Sequence, residues 1–460
     1  MSTLVVDPWG AHSDAALPAL RLALDPVVAG RVVAGVLAAR GEVAPSLTRV
    51  AVWRHKPGRR CLIAYSFGRG DAPVRTVLGK VRAKGADART YRLQGHLWRH
   101  GFGPWAGTGI EVPEPLGLTP ELGAWWQRRV EGVDGAAAVW GGDGVAACRR
   151  FAEAIHALHG TVPLDDTRRH GPHDELAILE ARLTALAAER SAWAVRLEAV
   201  LSGCRGIAAT LGPRPDRLVH RDFYPDQVLA GADRNFLLDL DLCALGDPAL
   251  DVGNFAAHLV EHAIRAWGEP RHADAPVGAF VDRYLELAGP EHRPAVEAYT
   301  TLALVRLVQI AWSKPERRPF TLPLLELCEE RLVRRCWSWS IAGPATRVDA
   351  LVDESFQDVS LEADDASAPA SGETRAGGVV CSGLRPESTS SRSISSNRPN
   401  APEQCRTIPT AATTRHAAAR TRRDPTPAQD LPSEPPRTPR PTNGRASTTT
   451  DTADRRRQGQ

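Results

Sequence analysis

LVHRDFYPDQVLAGADRNFLLDLDLCALGDPALDVGN, residues 218–254, decides how the rest of the chain is read. An apolar lead-in runs into a polar loop, His220–Gln227, and a turn over Gly231–Asn235 precedes a short apolar strand, Phe236–Leu238. That strand delivers Asp239 into a second loop, which Gly246-Asp247-Pro248 closes before a helix begins near Asp251. Buried strands that end in polar loops place acidic side chains at the lip of a cleft. His220, Arg221, Asp222, Asp226, Asp239 and Asp241 would be costly to bury unpaired, and the partners expected are a metal ion and a substrate.

His220-Arg221-Asp222, followed five residues after the Asp by an amide, is the arrangement H-R-D-x-x-x-x-N with Gln227 where Asn usually stands. Phosphoryl transfer needs a carboxylate to take the proton of an attacking hydroxyl, and Asp222 is placed for that. It also needs oxygen ligands for Mg²⁺ on the phosphates, which Gln227 and Asp239 supply. A lone His-Arg-Asp is mostly structural, and a lone Asp-x-Asp is often a solvated turn. The two together, followed by Gly-Asp-Pro-x-x-Asp, are far more specific.

On these residues the chain resembles the aminoglycoside phosphotransferase and choline kinase superfamily, small-molecule relatives of the protein kinases. The resemblance implies Asp222 as catalytic base and Asp239 as the metal-binding Asp, trailed by a second acid, Asp241. Gln227 departs from the commoner Asn, one methylene longer. Asp251 at a helix start suits an N-cap, and the resemblance has it bracing the catalytic loop rather than touching substrate. His220 reads as a packing and hydrogen-bonding residue.

The chain has 460 residues, 43% of them hydrophobic, enough for two or three domains and a large core. Its net charge of +3 lies wholly within residues 357–460, so the remainder is neutral and presents no general basic field for nucleic acid. The eight Cys are scattered without a C-x-x-C, which indicates neither a disulfide framework nor a zinc site. No apolar run approaches the roughly 18 residues of a membrane span, and no signal-like N-terminus is present. A cytoplasmic protein with no nucleic-acid or membrane partner is expected; oligomeric state is not legible.

Residues 1–44 read as a helical extension, with Asp25-Pro26 as a helix start. Residues 48–67 alternate apolar and polar on both sides of Lys56-Pro57-Gly58, which is a β-hairpin, and Thr76–Val81 forms a third strand. Lys80 on that strand is either an edge lysine reaching water or, in a kinase-like lobe, the Lys that holds the α- and β-phosphates. Only four Lys occur in the chain, which favours the second reading, since Arg would serve a solvated face equally well. Arg59 and Arg60 in the hairpin turn either touch phosphate or are exposed.

The next helix, about Asp87–His100, lacks the Glu that should pair with Lys80: no Glu stands between Lys80 and Glu111, and Asp87 lies near the helix start. Strands over Pro113–Gly117 and Gly123–Val130 lead to a hinge at Glu131-Gly132, with Trp125 and Trp126 as packing residues on opposite faces. Helical periodicity follows over 144–160, ending at a core histidine, His159, and over 174–201, with a loop expected from Gly203 to Pro215. Ala256–Trp267, Val277–Leu287, His292–Trp312 and Leu322–Trp339 complete the helices. Glu261, Trp267, Glu269 and Asp282 suit either an acceptor pocket or solvated helix faces. Past Phe356 no aromatic residue occurs, and the Ser/Thr/Pro/Arg-rich segment is expected to be disordered.

The fold expected is α+β and two-lobed, protein-kinase-like: a helical extension (1–44), a small antiparallel-sheet lobe (45–131), a mostly helical lobe (132–345) and a disordered tail (346–460). The function expected is Mg²⁺-dependent transfer of the γ-phosphoryl group of ATP or GTP to a small-molecule hydroxyl. The acceptor classes implied are aminoglycoside-like antibiotics, amino alcohols and sugars. Asp222 is the base, Lys80 and Arg60 hold the nucleotide, and Gln227 and Asp239 hold the metal. Gln227 and the absent helix Glu also fit an impaired pseudokinase that only binds nucleotide or a partner.

Overall fold

In a computed structural model that describes residues 3–68, 75–212 and 214–342, the alternating N-terminal stretches form one sheet. Its strands are β1 (Leu4–Val6), β2 (Leu47–Lys56), β3 (Arg60–Phe67), β4 (Arg75–Arg82), β5 (Pro115–Thr119) and β6 (Ala124–Arg128). They lie in the order β1-β2-β3-β4-β6-β5, antiparallel except for β1, which runs parallel to β2. The extension expected to be purely helical therefore begins with a strand. Three residues are too few to show a period, so only the free edge of β2 reveals it. The helix at Pro26–Ala38, α1, starts as read, with the Asp25 carboxylate accepting from Val27 and Val28 N–H at 2.9 Å each. The same extension braces the β2–β3 turn: Asp14 accepts from Gly58 N–H and pairs with the His55 ring, both at 2.8 Å.

Period-2 alternation sorts the two faces of the sheet. Cys61, Ile63, Tyr65 and Phe67 on β3, with Val77 and Val81 on β4 and Trp126 on β6, are buried in one core. Tyr65 Oη donates to Ala23 O there at 2.8 Å. Leu62, Leu78, Lys80 and Trp125 take the other face, and Lys80 sits directly opposite Trp125 in the strand register. The helix over Ala88–Arg99, α2, follows β4, capped by Asp87.

The helical part holds α3 (Gly144–His159), α4 (Pro172–Glu189), α5 (Ala194–Thr210), α6 (Ala249–Trp267), α7 (Asp274–Ala288), α8 (Arg293–Trp312) and α9 (Thr321–Ala342). The continuous pattern read over 174–201 is two helices, broken by one 3₁₀ turn at Ser191–Trp193. The loop expected from Gly203 is helix to Thr210, because Cys204, Ile207 and Ala208 extend the buried stripe of Val200 and Leu201. Gly203 stands there for closeness: an added Cβ would lie 2.9 Å from Leu332. Between α5 and α6, β7 (Arg217–Val219) pairs with β10 (Ala244–Gly246), and β8 (Val228–Ala230) pairs with β9 (Asn235–Leu237). These ribbons carry the two polar loops. The segment 346–460 lies outside the described residues, as does most of the loop after Gly68.

Helix α6 crosses α8 at Gly253, where a Cβ would come within 2.5 Å of Thr300 N and 2.6 Å of Tyr299 C. Both neighbours are backbone and cannot swing aside. Gly253→Ala is expected to destabilise by about 3 kcal/mol. Gly278→Ala on α7, with nothing within 4 Å of the added methyl, should stabilise by about 0.5–1 kcal/mol. Urea denaturation of the two variants checks the contrast.

Candidate active site

Asp251 is fully buried and accepts the backbone N–H of His220 and of Arg221, both at 2.7 Å. The His159 ring adds a third contact, Nε2 to Asp251 Oδ2 at 3.0 Å, and its Nδ1 meets Tyr284 Oη at 2.8 Å. Asp251 thus lies inside the first turn of α6 and does not cap it. The cap contact comes from Asp247, whose Oδ1 accepts Ala249 N–H at 2.9 Å. Held at two successive N–H groups, the loop passes through a left-handed backbone at Arg221, φ 70°. Phe223 anchors its far side by stacking on Phe255, which stacks on Phe280. Asn254 Nδ2 donates to Phe223 O at 2.8 Å.

The two loops are tied to each other. His220 Nε2 donates to Leu238 O at 2.7 Å, and Leu238 N–H donates to Gln227 O at 2.9 Å. Asp239 follows in a left-handed conformation, φ 53°. Lys80 Nζ lies 3.6 Å from Asp239 Oδ1, 3.9 Å from Asp241 Oδ1 and 4.8 Å from the centre of the Trp125 ring. Arg60 Nη1 reaches Asp241 Oδ2 at 2.9 Å, and Arg82 pairs with Asp241 and, at 2.8 Å, with Asp87. The acid beside Lys80 therefore comes from the second loop, and Asp87 serves α2 and Arg82 instead. Burial pushes the Asp239 carboxyl up, but Lys80 and Arg60 outweigh it and hold it down at about 2. Burial, reinforced by Asp239, pushes Asp241 up.

A cleft of about 270 Å³ separates the sheet from the second loop. Leu62 and Leu78 line one side, Leu229 and Leu238 the other, and Gln127, Arg129 and Val130 lie at the strand end. Lys80, Arg60, Gln227 and Asp239 all line it. Asp222 does not; it faces a larger cavity of about 760 Å³ that Arg60, Gln227 and Asp239 share. The five residues singled out from the sequence thus fall on two adjoining spaces with three of them in common. Sequence reasoning missed Arg82 as a partner of Asp241. It also missed the Arg side chains of the larger cavity, Arg182, Arg306 and Arg317, which come from three separate elements and share no motif. The arrangement offers a carboxylate, a lysine and two oxygen donors around a path from an apolar slot to a polar chamber.

Residues 80–299 match the model of the phosphotransferase enzyme family. No curated protein sequence matches the chain. Similar solved structures include choline kinase from Cryptosporidium parvum Iowa II, 10% identical, covering 69% of this chain and 98% of its own, with a TM-score of 0.49. A thermostable mutant of aminoglycoside phosphotransferase APH(4)-Ia is 18% identical, covering 68% of this chain and all of its own, with a TM-score of 0.45. A choline/ethanolamine kinase family protein from Mesorhizobium loti is 17% identical over 60% of this chain and 88% of its own, with a TM-score of 0.42. The matched stretch begins at Lys80 and takes in both loops and the Asp251 brace. Over that stretch, just under half of the chain, the sequence is similar to the phosphotransferase enzyme family.

Proposed function

We propose that the chain moves the γ-phosphoryl group of ATP or GTP onto a hydroxyl of a small molecule, with Mg²⁺ as cofactor. The observation that carries this reading is that Asp222 and Asp239 line one cavity, next to the cleft that holds Lys80. The base edge of the nucleotide would enter the apolar slot against Leu62, Leu78 and Leu238, between lobes proposed at 45–131 and 132–345. Lys80 and Arg60 would hold the phosphates. Asp222 would orient the acceptor hydroxyl and take its proton as the new O–P bond forms. The bond from Pγ to the β–γ bridging oxygen breaks, and the nucleoside diphosphate leaves with that electron pair.

The residues present fit a hard divalent cation. Asp239 offers an ionised carboxylate and Gln227 an amide oxygen in the same two spaces, and a buried Asp241 oxygen has no hydrogen-bond partner. Among the described residues no group of three His, Cys, Asp or Glu converges. That suits Mg²⁺, which commonly takes one or two protein ligands and completes its shell with phosphates and water. Bound there, the ion would neutralise charge on the transferring phosphate. The impaired-kinase alternative rested partly on the absent helix Glu. Asp239 and Asp241 stand beside Lys80 in its place, which supports the catalytic reading.

Asp222→Asn is expected to lower turnover by about 10³-fold while Mg²⁺–nucleotide affinity, read by calorimetry, is retained; turnover equal to the parent contradicts the assigned role. Lys80→Met tests the ion cluster through pH. Asp239 lies below its ordinary 3.8, so the stability it contributes is present above about pH 4 and is lost as pH falls toward 2. Removing Lys80 takes the nearest cation from Asp239 and leaves Asp241 beside it, with Arg60 and Arg82 left to offset the two carboxylates. The variant should therefore be less stable at neutral pH and unfold in acid at a higher midpoint by circular dichroism. An unchanged midpoint counts against the pairing.

A further inference from the structure

The larger cavity beside Asp222 carries an excess of positive charge that the nucleotide does not account for. Arg54, Lys56, Arg59 and Arg60 reach it from the sheet side, where the triphosphate is proposed to lie. Six more cations come from the helical side: Arg182, Arg221, Arg265, Arg306, Lys314 and Arg317. The acids on that side are few. Glu261 is shared by Arg265 at 2.7 Å and Arg317 at 3.4 Å. Arg306 meets Glu175 at 3.6 Å, but the same carboxylate also takes the His170 ring at 2.6 Å. Asp222 is reserved for the acceptor hydroxyl and Asp239 faces Lys80, which leaves Asp226.

Three of these cations have no ion-pair partner and feel carboxylates only at longer range, Glu175 and Asp222 at Arg182, Glu175 and Asp174 at Arg221, and Glu316 and Glu261 at Lys314. Among the described residues no carboxylate lies within ion-pair distance of Arg182, Arg221 or Lys314. Arg182 rests on the neutral amide of Gln309 at 3.1 Å, and the buried Nε of Arg221 has no hydrogen-bond partner. Burial and the neighbouring Arg306 lower the affinity of Arg182 for its proton, and burial together with the same cationic surroundings keeps His258 neutral. Guanidinium groups brought together in a half-buried chamber repel one another, and a bound anion removes that cost. The chamber also has flat walls: Tyr224 stacks on His258 at 4.4 Å and Trp140 on His262 at 4.9 Å.

We propose that the acceptor is an organic anion, a hydroxyl compound bearing a carboxylate or phosphate that Arg182, Arg221 and Lys314 hold with its hydroxyl toward Asp222. This rests on the phosphotransfer reading above and narrows it: a polycationic aminoglycoside or a quaternary amine meets the wrong sign of charge in this chamber. Fork-shaped guanidinium groups match planar carboxylate and phosphate oxygens.

The test uses the full chain saturated with Mg²⁺ and a non-hydrolysable ATP analogue, so that the sheet-side cations are occupied. Calorimetry then compares glucose, gluconate, glucose 6-phosphate and the polycation kanamycin. The anionic members should bind about 10-fold or more tightly than glucose, kanamycin should not bind, and the preference should shrink as salt is raised. Arg182→Gln and Lys314→Gln should each erase most of that preference without changing affinity for the nucleotide analogue. Glucose or kanamycin binding as tightly as the anions, failure of both anions to bind, or variants that keep the full preference each overturn the proposal. With ATP in place of the analogue, anion binding without phosphoryl transfer counts against the proposed function and leaves the anion site standing.

Discussion

Two consecutive backbone N–H groups donating into one buried carboxylate set the geometry on which the site depends. A fully desolvated Asp251 would be prohibitive alone, and it is tolerated because His220 N–H, Arg221 N–H and the His159 ring all point at it. The contact fixes the direction in which the chain leaves β7, so that Arg221 enters a left-handed conformation and Asp222 faces the open chamber. Everything behind the contact is packing that keeps Asp251 in place: the close crossing of α6 and α8 at Gly253, and the stacked Phe223, Phe255 and Phe280 rings. A helix in the second half of the chain thereby positions a loop that precedes it.

Charge links this loop system to the sheet. Lys80, Arg60 and Arg82 project from the sheet toward Asp239 and Asp241, so the cleft is bridged by ions where the phosphates are proposed to bind. Such a cluster is rearranged easily, because a triphosphate and a divalent cation offer the same side chains equivalent partners. On the far side the cations again outnumber the acids, and fewer of them are held in ion pairs. The two halves of the site thus differ in how their cations are paired, although six residues border both.

Much of this was legible in the sequence. The spacing of His220, Asp222, Gln227 and Asp239 located both loops, because their short strands are apolar and their polar residues cannot be buried alone. Alternation over 48–67 and 76–81 gave the hairpin and third strand, and the strand read over 123–130 placed Trp125 and Trp126 on opposite faces. The partner of Lys80 was sought on α2, the element next along the chain, whereas it comes from Asp239 and Asp241, about 160 residues away. Local pattern also mistook Asp251 for a cap, since a helix start and a buried brace have the same composition. The basic chamber was out of reach for a related reason. Arg182, Arg221, Arg306 and Lys314 converge only through the packing of separate helices, and no periodicity marks convergence.

The central claim is that one divalent ion and one triphosphate lie between the two loops, with Asp222 facing the terminal phosphate. A crystal structure of the full chain with Mn²⁺ and a non-hydrolysable ATP analogue, using the anomalous signal of the metal to place it, tests this most directly. The account predicts metal density against the Asp239 carboxylate, the phosphates alongside Lys80, and the terminal phosphorus turned to the chamber that Asp222 lines. A nucleotide bound with its metal away from Asp239, or with its terminal phosphate screened from Asp222, would contradict it.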